Sequence, residues 1–494
     1  MNYGDLFRVT LPETALEIAA LVVLVVDLGF LRKSALSVRA AVAALLGIVG
    51  CGVALWTMPF QASGGLIYPG TGELLLAAGG SAAVAQVGIL ALTVLTLLLM
   101  MDCDFTQHVG EYVAVVLMAA TGGLLIAAAQ DLLVIFIGLE LLSLGLYILT
   151  AFAKRSGKSA EAAMKYYLFG GMSAAFLLFG FSYLYGIFGS TNLQQIVLAE
   201  QGLHGSQSAS LLYVALVMIA AGLGFKVAAV PFHLWAPDTY EGAPAPAAAF
   251  IASVSKVASF ALLISIGIAA LHLFNGTHGP WSLILALLAV ASMVLGNLAA
   301  LAQTSVRRLL AYSAIAHAGY ILLALAYFSA SPINSAAVLY YILTYGLTTI
   351  GAFGAVSVVE RAAGNDRLEA FLGLHKRNPM LAAVLLVLFL SLAGIPPLVG
   401  FWAKFNLFAA VLRVSAGVAP FALVALAVAM SAVSLYYYLQ VLKRAYVMPS
   451  LDDTRITAHP VTMAVLLVIA ALVLVLGCFP SLLLEWIAGF YPVM

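Results

Sequence analysis

Fourteen apolar runs follow one another along this chain with hardly a charge inside them. Most are about 20 residues long, the length at which a helix crosses a hydrocarbon layer of about 30 Å. They fall at roughly 14–31, 40–58, 78–100, 111–129, 131–152, 162–187, 210–230 (continuing brokenly to about 238), 245–273, 281–303, 308–328, 333–359, 379–413 (broken), 418–442 and 460–489. Nothing between them is polar enough to coat a soluble domain. The chain of 494 residues is 64% hydrophobic and 8% charged, against about 25% charged in ordinary soluble domains. The alternating ten-residue strands of an outer-membrane barrel are missing. The expected fold is therefore an all-α polytopic membrane protein with about 14 transmembrane helices. The first run follows Glu13 and Glu17 and lacks both a basic start and a small-residue cleavage site, which reads as a retained helix rather than a signal peptide.

Charge placement is an independent check on the number of spans. With both termini outside, the loops after odd-numbered spans face inward. Those loops hold Arg32, Lys33, Arg39, Lys154, Arg155, Lys158, Arg307, Arg308, Arg361, Arg367, Lys376, Arg377, Lys443, Arg444 and Arg455, whereas the opposite side holds only Arg8 and Arg413. A bias of that size follows the positive-inside rule and is hard to obtain from a wrong helix count. It predicts both termini on the outer side, and the expected location is a bacterial inner membrane. The five tryptophans, Trp56, Trp235, Trp281, Trp402 and Trp486, stand near span ends or breaks.

Two spans carry proline in mid-course, Pro231 in the seventh and Pro396 with Pro397 in the twelfth. Proline removes a backbone donor and clashes with the preceding turn, so both spans should break. Broken backbone at membrane depth persists only where protein or a water-filled cavity satisfies it. The breaks are five spans apart, and a unit with an odd number of spans must repeat inverted. The expected organisation is three N-terminal helices (1–110), a five-helix repeat (111–275), a second inverted repeat (276–446) and a C-terminal helix (447–494). Two unrelated proline kinks would give the same pattern.

An ionisable group at the bilayer centre costs about 2.5–3.5 kcal/mol on insertion scales. The groups so placed are Glu140, Lys165, Lys226, Lys256, Lys404, His233 and His317. Glu140 has no opposite charge within a turn, so a partner must come from another helix. Lys226 stands beside the break at Pro231, Lys256 is flanked by Ser253, Ser255 and Ser259, and Lys404 follows the second break. Lying on separate helices, these groups suggest a polar line through the protein. Desolvation favours a neutral amine and a nearby carboxylate favours the charged one. Motion of Glu140 relative to Lys226 would thus switch that lysine between holding and releasing a proton. Imidazole passes protons between its two nitrogens near neutrality, and His317 fits a bridge between the halves. For each lone residue the plainer reading is a structural ion pair or a snorkelling side chain. Lys165 has Glu161 four residues earlier, the spacing of an ordinary helix-surface pair. His233 has the alternative role of satisfying carbonyls freed by the break. His108, His204, His272, His278, His375 and His459 fall near ends or in loops.

Several chemistries are disfavoured. Net charge is +1, with no basic patch for nucleic acid. Cys51, Cys103 and Cys478 are far apart, without the paired spacing of an iron–sulfur or zinc site. Gly157-Lys158-Ser159 ends like a phosphate loop, but Phe152 stands where its leading glycine belongs. Gly222-Leu223-Gly224 begins like a dinucleotide fingerprint but ends at Val227 inside a span.

The stretch GFKVAAVPFHLWAPDTYEGAPAPAAAFIASVSKVA (Gly224–Ala258) resembles the antiporter-like subunits of respiratory complex I, and FHLWAPDTYEGAP resembles subunit N in particular. GLELLSL around Glu140, RRLLAYSAIAHAGY around His317 and GIPPLVGFWAKF around Lys404 resemble the same subunit, in the same order. The resemblance implies fourteen helices with broken helices seven and twelve around a central hydrophilic axis. It implies Glu140 and Lys226 as the charge-coupled pair, Lys256 and His317 as the relay, and Lys404 as the terminal lysine. Lys165 also falls where subunit N carries a lysine. One sister subunit has glutamate in place of Lys404, and another has a long lateral helix beyond helix fourteen. The implied activity is proton translocation within an NADH–quinone oxidoreductase, a translocase whose NADH, FMN, iron–sulfur clusters and quinone are held by other subunits. Its implied partners are the other membrane and peripheral subunits, the lipid bilayer and protons. The alternatives are a subunit of a multi-subunit cation/proton antiporter, a membrane-bound hydrogenase subunit, and an inert scaffold with closed ion pairs.

Overall fold

The computed structural model describes residues 9–58, 64–67, 74–102, 104–200, 206–273, 279–329, 331–415, 417–450 and 454–491. Arg8, Cys103, His204 and His278, weighed above, lie outside the described residues, as does the side chain of His272. Among the described residues, eleven helices are long and apolar enough to cross a membrane unaided. They form the second span (Leu36–Thr57), third (Gly80–Met100), fourth (Val109–Ala128), fifth (Leu132–Thr150), sixth (Gly157–Phe188), eighth (Ala245–Leu273), ninth (Pro280–Leu301), tenth (Val306–Ala326), eleventh (Pro332–Ala363), thirteenth (Val418–Tyr446) and fourteenth (Pro460–Cys478). Three more spans are interrupted. The first, Leu11–Val25, continues through a π turn at Val26–Phe30; the seventh, Ser206–Lys226, stops at its break; the twelfth is split into Pro379–Ala393 and Val399–Val414. The chain is thus the fourteen-span all-α protein expected.

Local chemistry sets where these helices begin and end. Asp131 opens the fifth span by accepting from Leu133 N at 2.9 Å, Ser305 opens the tenth by accepting from Arg308 N at 3.1 Å, and Asn378 opens the twelfth by accepting from Leu381 N at 2.9 Å. Each side-chain oxygen satisfies an amide that the first turn leaves without a partner. The first segment of the twelfth span ends on Gly394, whose φ of 85° suits glycine and terminates the helix.

Four details depart from the sequence reading. The polar stretch between spans six and seven holds a helix, Leu193–Glu200. Residues between spans two and three form a two-stranded antiparallel hairpin, Gly64–Ile67 with Leu74–Ala78. The fourteenth span stops at Cys478, because Pro480 cannot continue it, and Ser481–Ala488 forms a separate turn of helix. Arg39, counted with an inner loop, stands in the first turn of span two, where its Nε and Nη2 hold the two oxygens of Asp27 at 2.7 and 2.6 Å.

Spans eight and ten are almost wholly buried and span eleven nearly so, while spans six and thirteen are largely exposed. Spans eight, ten and eleven therefore form the centre, and the others screen them from lipid. Close approach depends on small residues. A Cβ on Gly122 would stand 2.5 Å from Leu142 N, joining spans four and five; one on Gly296 would stand 2.7 Å from Ala316 N, joining spans nine and ten.

Candidate functional site

The two broken spans position the site. After Lys226 the seventh span turns out of helix through Ala228, whose φ is 56°; Phe225 O still accepts from Ala228 N at 3.0 Å, but the Val227 carbonyl, four residues before Pro231, is left without an amide. Trp235 Nε1 donates to Phe225 O at 3.0 Å, and Lys256 Nζ, from span eight, donates to Val227 O. Val230 N donates to Ser292 Oγ of span nine at 2.9 Å, which fixes the break to the second half of the protein. In the twelfth span the carbonyls of Leu392 and Ala393 are freed in the same way, and both accept from Lys404 Nζ at 3.0 Å. Ser431 Oγ of span thirteen accepts from the same ammonium at 2.8 Å. A helix C-terminus carries partial negative charge, so each broken end is suited to a cation.

Lys226, Lys256, His317 and Lys404 are 7%, 3%, 4% and 6% exposed, which sets all four inside the protein at membrane depth. Lys226 Nζ donates to Ser143 Oγ of span five, and Ser143 donates onward to Leu139 O. Glu140 lies one turn from Ser143 and is half-buried, with Ile137 and Leu144 on either side facing outward. Among the described residues Glu140 and Lys226 do not form an ion pair; Ser143 holds the ammonium instead.

His317 sits in a cage of tyrosines that the sequence reading did not single out. Its Nδ1 lies 2.7 Å from Tyr341 OH and its Nε2 3.4 Å from Tyr438 OH. Tyr438 OH also meets Ser313 Oγ. The Tyr345 ring packs 4.8 Å from the imidazole. Gly346, next in sequence, faces Ser253 and Val257 of span eight, each 3.6 Å from where its Cβ would be. Span eleven thereby carries Tyr345 between the Lys256 helix and His317. Tyr320 continues the row. Its hydroxyl accepts from Asn297 Nδ2 at 3.1 Å, and its ring lies 5.5 Å from Lys404 Nζ. The only sequence-level signal for these tyrosines was their density, with Tyr340, Tyr341 and Tyr345 in span eleven and Tyr436, Tyr437 and Tyr438 in span thirteen.

The two remaining candidates stand apart from this row. Lys165 is partly exposed; its Nζ lies 2.6 Å from Glu161 Oε1, the helix-surface pair foreseen, and 2.7 Å from Asp238 Oδ2. Asp238 Oδ1 meets Arg308 Nη1 at 2.6 Å, Glu241 Oε2 meets the same nitrogen at 3.0 Å, and Glu241 Oε1 meets Lys158 Nζ at 2.9 Å. This cluster ties spans six and ten to the short helix Trp235–Gly242 beyond the break. Burial works to raise the Glu241 carboxyl, but the Lys158 ammonium and the Arg308 guanidinium outweigh it and hold that carboxyl below its ordinary value. Beside the cluster lies a vestibule of about 380 Å³, lined by Lys158, Glu241, Arg307, Glu360 and Asp366 among others. His233 is buried with Nδ1 unpartnered, and the carbonyls of Phe225 and Val227 go to Trp235 and Lys256 rather than to it.

Fold and site together define a polytopic membrane protein with two broken helices, whose freed carbonyls hold buried lysines on either side of a histidine. The family model described as NADH:quinone oxidoreductase/Mrp antiporter, TM, matches residues 129–431. The chain is 50% identical over 503 residues to NADH-quinone oxidoreductase subunit N 2 of Acidobacterium capsulatum, covering 99% of each. A chain of respiratory complex I from Thermus thermophilus with bound aureothin is similar at a TM-score of 0.78 and 34% identity, over 96% of this chain and 98% of that one. A chain of the Mrp complex from Dietzia sp. matches at a TM-score of 0.78 but 22% identity, over 97% and 96%, a likeness of fold alone. The chain belongs to the NADH:quinone oxidoreductase/Mrp antiporter membrane family and, within it, to the subunit N group.

Proposed function

We propose that this chain is the proton-translocating membrane subunit N of an NADH–quinone oxidoreductase, and that protons pass along Glu140, Lys226, Lys256, His317 and Lys404. One observation carries the reading. Among the described residues, none of the three buried ammonium groups forms an ion pair; each is held by neutral oxygens, those of Ser143, Val227, Leu392, Ala393 and Ser431. A closed buried pair would lock the proton in place, because removing either charge strands the other. An ammonium facing neutral acceptors can lose its proton without leaving an opposite charge uncompensated.

Glu140 acts as the movable charge. Its approach towards Lys226 favours the ammonium, and its withdrawal lets the proton go. Lys256 is the next station, since its ammonium lies on the carbonyl of Val227, the residue after Lys226. Tyr345 and the imidazole carry the path across the centre to Tyr320 and Lys404. Lys165 and His233 serve at its margin, Lys165 within the ion cluster by the vestibule.

The redox chemistry belongs to other subunits, which hold NADH, FMN, the iron–sulfur clusters and quinone, and this chain contributes no redox site of its own. The charge bias supports an inner-membrane orientation with both termini outside. The two matched helix pairs, four with five and nine with ten, and the two breaks support inverted repeats over 111–275 and 276–446, with 1–110 and 447–494 flanking them. Glu140→Ala and Lys226→Ala are expected to assemble into the complex yet lose most proton translocation or coupled quinone reduction, measured in reconstituted vesicles. Full translocation by an assembled Glu140→Ala complex would sink the proposal.

A further inference from the structure

The first three spans contain a buried carboxyl that the relay above does not use. Glu13, in the first turn of span one, is 5% exposed. Its Oε1 accepts from Gln86 Nε2 of span three at 3.4 Å, and the same amide nitrogen reaches Leu124 O of span four at 3.2 Å. Glu13 Oε2 is fully buried and has no hydrogen-bond partner. A buried carboxyl oxygen with nothing to bond is costly unless it carries a proton or meets water.

A cavity adjoins it, lined by Glu13, Gln86, Pro12, Met58, Leu76 and Ala128 among others, with room for a water. The second strand of the hairpin, Leu74–Ala78, borders this cavity through Leu76, Ala77 and Ala78. It is clamped there by Gln130 N donating to Leu75 O at 2.9 Å and by Asn192 Nδ2 donating to Leu74 O at 2.7 Å. The charge bias puts this end of the protein on the outer side. Inward of Gln86, spans three and four pack directly on span eight beside Lys256. The Cβ position of Gly88 lies 3.8 Å from Val257 Cγ1, and that of Gly123 lies 3.6 Å from Ala258 Cβ. One turn outward from Lys256 stands Ser259, 2% exposed, its hydroxyl also without a partner. One orphaned hydroxyl therefore stands a turn outward from the central lysine, and one orphaned carboxyl oxygen stands at the outer cavity.

We infer that Glu13 is an outer proton-release carboxyl, reached from Lys256 through Ser259, Gln86 and intervening water. The proton leaving the Lys256 ammonium passes to water. Glu13 Oε2 takes it up, forming an O–H bond and a neutral acid. It then returns the proton to cavity water beneath the hairpin and becomes a carboxylate again. The bare oxygen is the landing point, and the Gln86 amide steadies the carboxylate through Oε1 in the charged half of the cycle.

The inference rests on the proposed relay, and the test separates the two. In the assembled complex reconstituted in vesicles, Glu13→Gln should keep uncoupled NADH–quinone reductase activity while translocating several-fold fewer protons per electron. Glu13→Asp should recover much of that loss, and Glu17→Gln, at an exposed neighbour, should lose nothing. Wild-type translocation by Glu13→Gln overturns the outlet alone if Lys256→Ala is still defective. If Lys256→Ala also translocates normally, the relay itself falls. A second reading needs no variant: a high-resolution map of the wild-type complex should show ordered water within hydrogen-bonding distance of Glu13 Oε2 and of Ser259 Oγ. Dry surroundings at both atoms overturn the route.

Discussion

Lys256 and Lys404 each finish on a backbone carbonyl that a broken helix has left without its own amide. On the proposed relay the ammonium has two tasks, satisfying the break and holding an exchangeable proton, and substitution can separate them. Arginine supplies donors for the carbonyls but is always charged. Lys404→Arg is therefore expected to melt within a few degrees of wild type while translocating almost no protons. Lys404→Met leaves two buried carbonyls unsatisfied, at a cost of about 1–3 kcal/mol each, and should lower the melting temperature as well as the translocation. Equal melting temperatures for the two variants would show that the ammonium does not support the break. Ser143→Ala isolates the other contact, removing the hydroxyl that holds the Lys226 ammonium. It should impair translocation less than Lys226→Ala does.

At the scale of elements, glycines fix how deeply the central helices sit. Gly296 of span nine faces Ala316 N of span ten at 2.7 Å from its Cβ position, and His317 is the next residue. Gly296→Ala must push backbone rather than a flexible side-chain tip. Overpacking of that kind costs about 1–3 kcal/mol, and here it would displace the imidazole from Tyr341 and Tyr438. A lower melting temperature together with slower translocation is expected. Gly267→Ala in span eight, where a Cβ meets nothing within 4 Å, should change neither. The breaks themselves were foreseeable, since Pro231, Pro396 and Pro397 stand in otherwise continuous apolar runs. That lysines from neighbouring spans occupy the freed carbonyls was not, because no local pattern connects Lys256 with Val227, 29 residues away.

Across the whole molecule, polarity is sorted into a buried row and a charged rim. The rim links spans six and ten and the helix beyond the break through Lys158, Glu241, Arg308, Asp238 and Lys165. Glu241 is held below its ordinary value in the folded protein. Its contribution is therefore complete above the unfolded carboxylate value of about 4.3 and is lost as pH falls through the depressed folded value. The wild-type melting temperature should fall on acidification below about pH 4, and Glu241→Gln should flatten that part of the profile. An unchanged profile would show that the rim cluster adds nothing to stability. The number of spans and the two breaks were legible in the sequence, since apolar length and proline chemistry act on each segment separately. The tyrosine cage, the rim cluster and the Glu13–Gln86 contact were not, because each joins side chains from helices far apart in the chain.

The sequence by itself determined that this is a fourteen-span membrane protein with two broken helices and a few charges too costly to stand at membrane depth without purpose. Apolar length, proline chemistry and desolvation are properties of single segments. Only the tertiary structure decided which oxygen each ammonium meets, and those oxygens are neutral ones. That choice depends on which helix faces pack together, and it is the observation on which the proposed relay, rather than a set of closed ion pairs, rests.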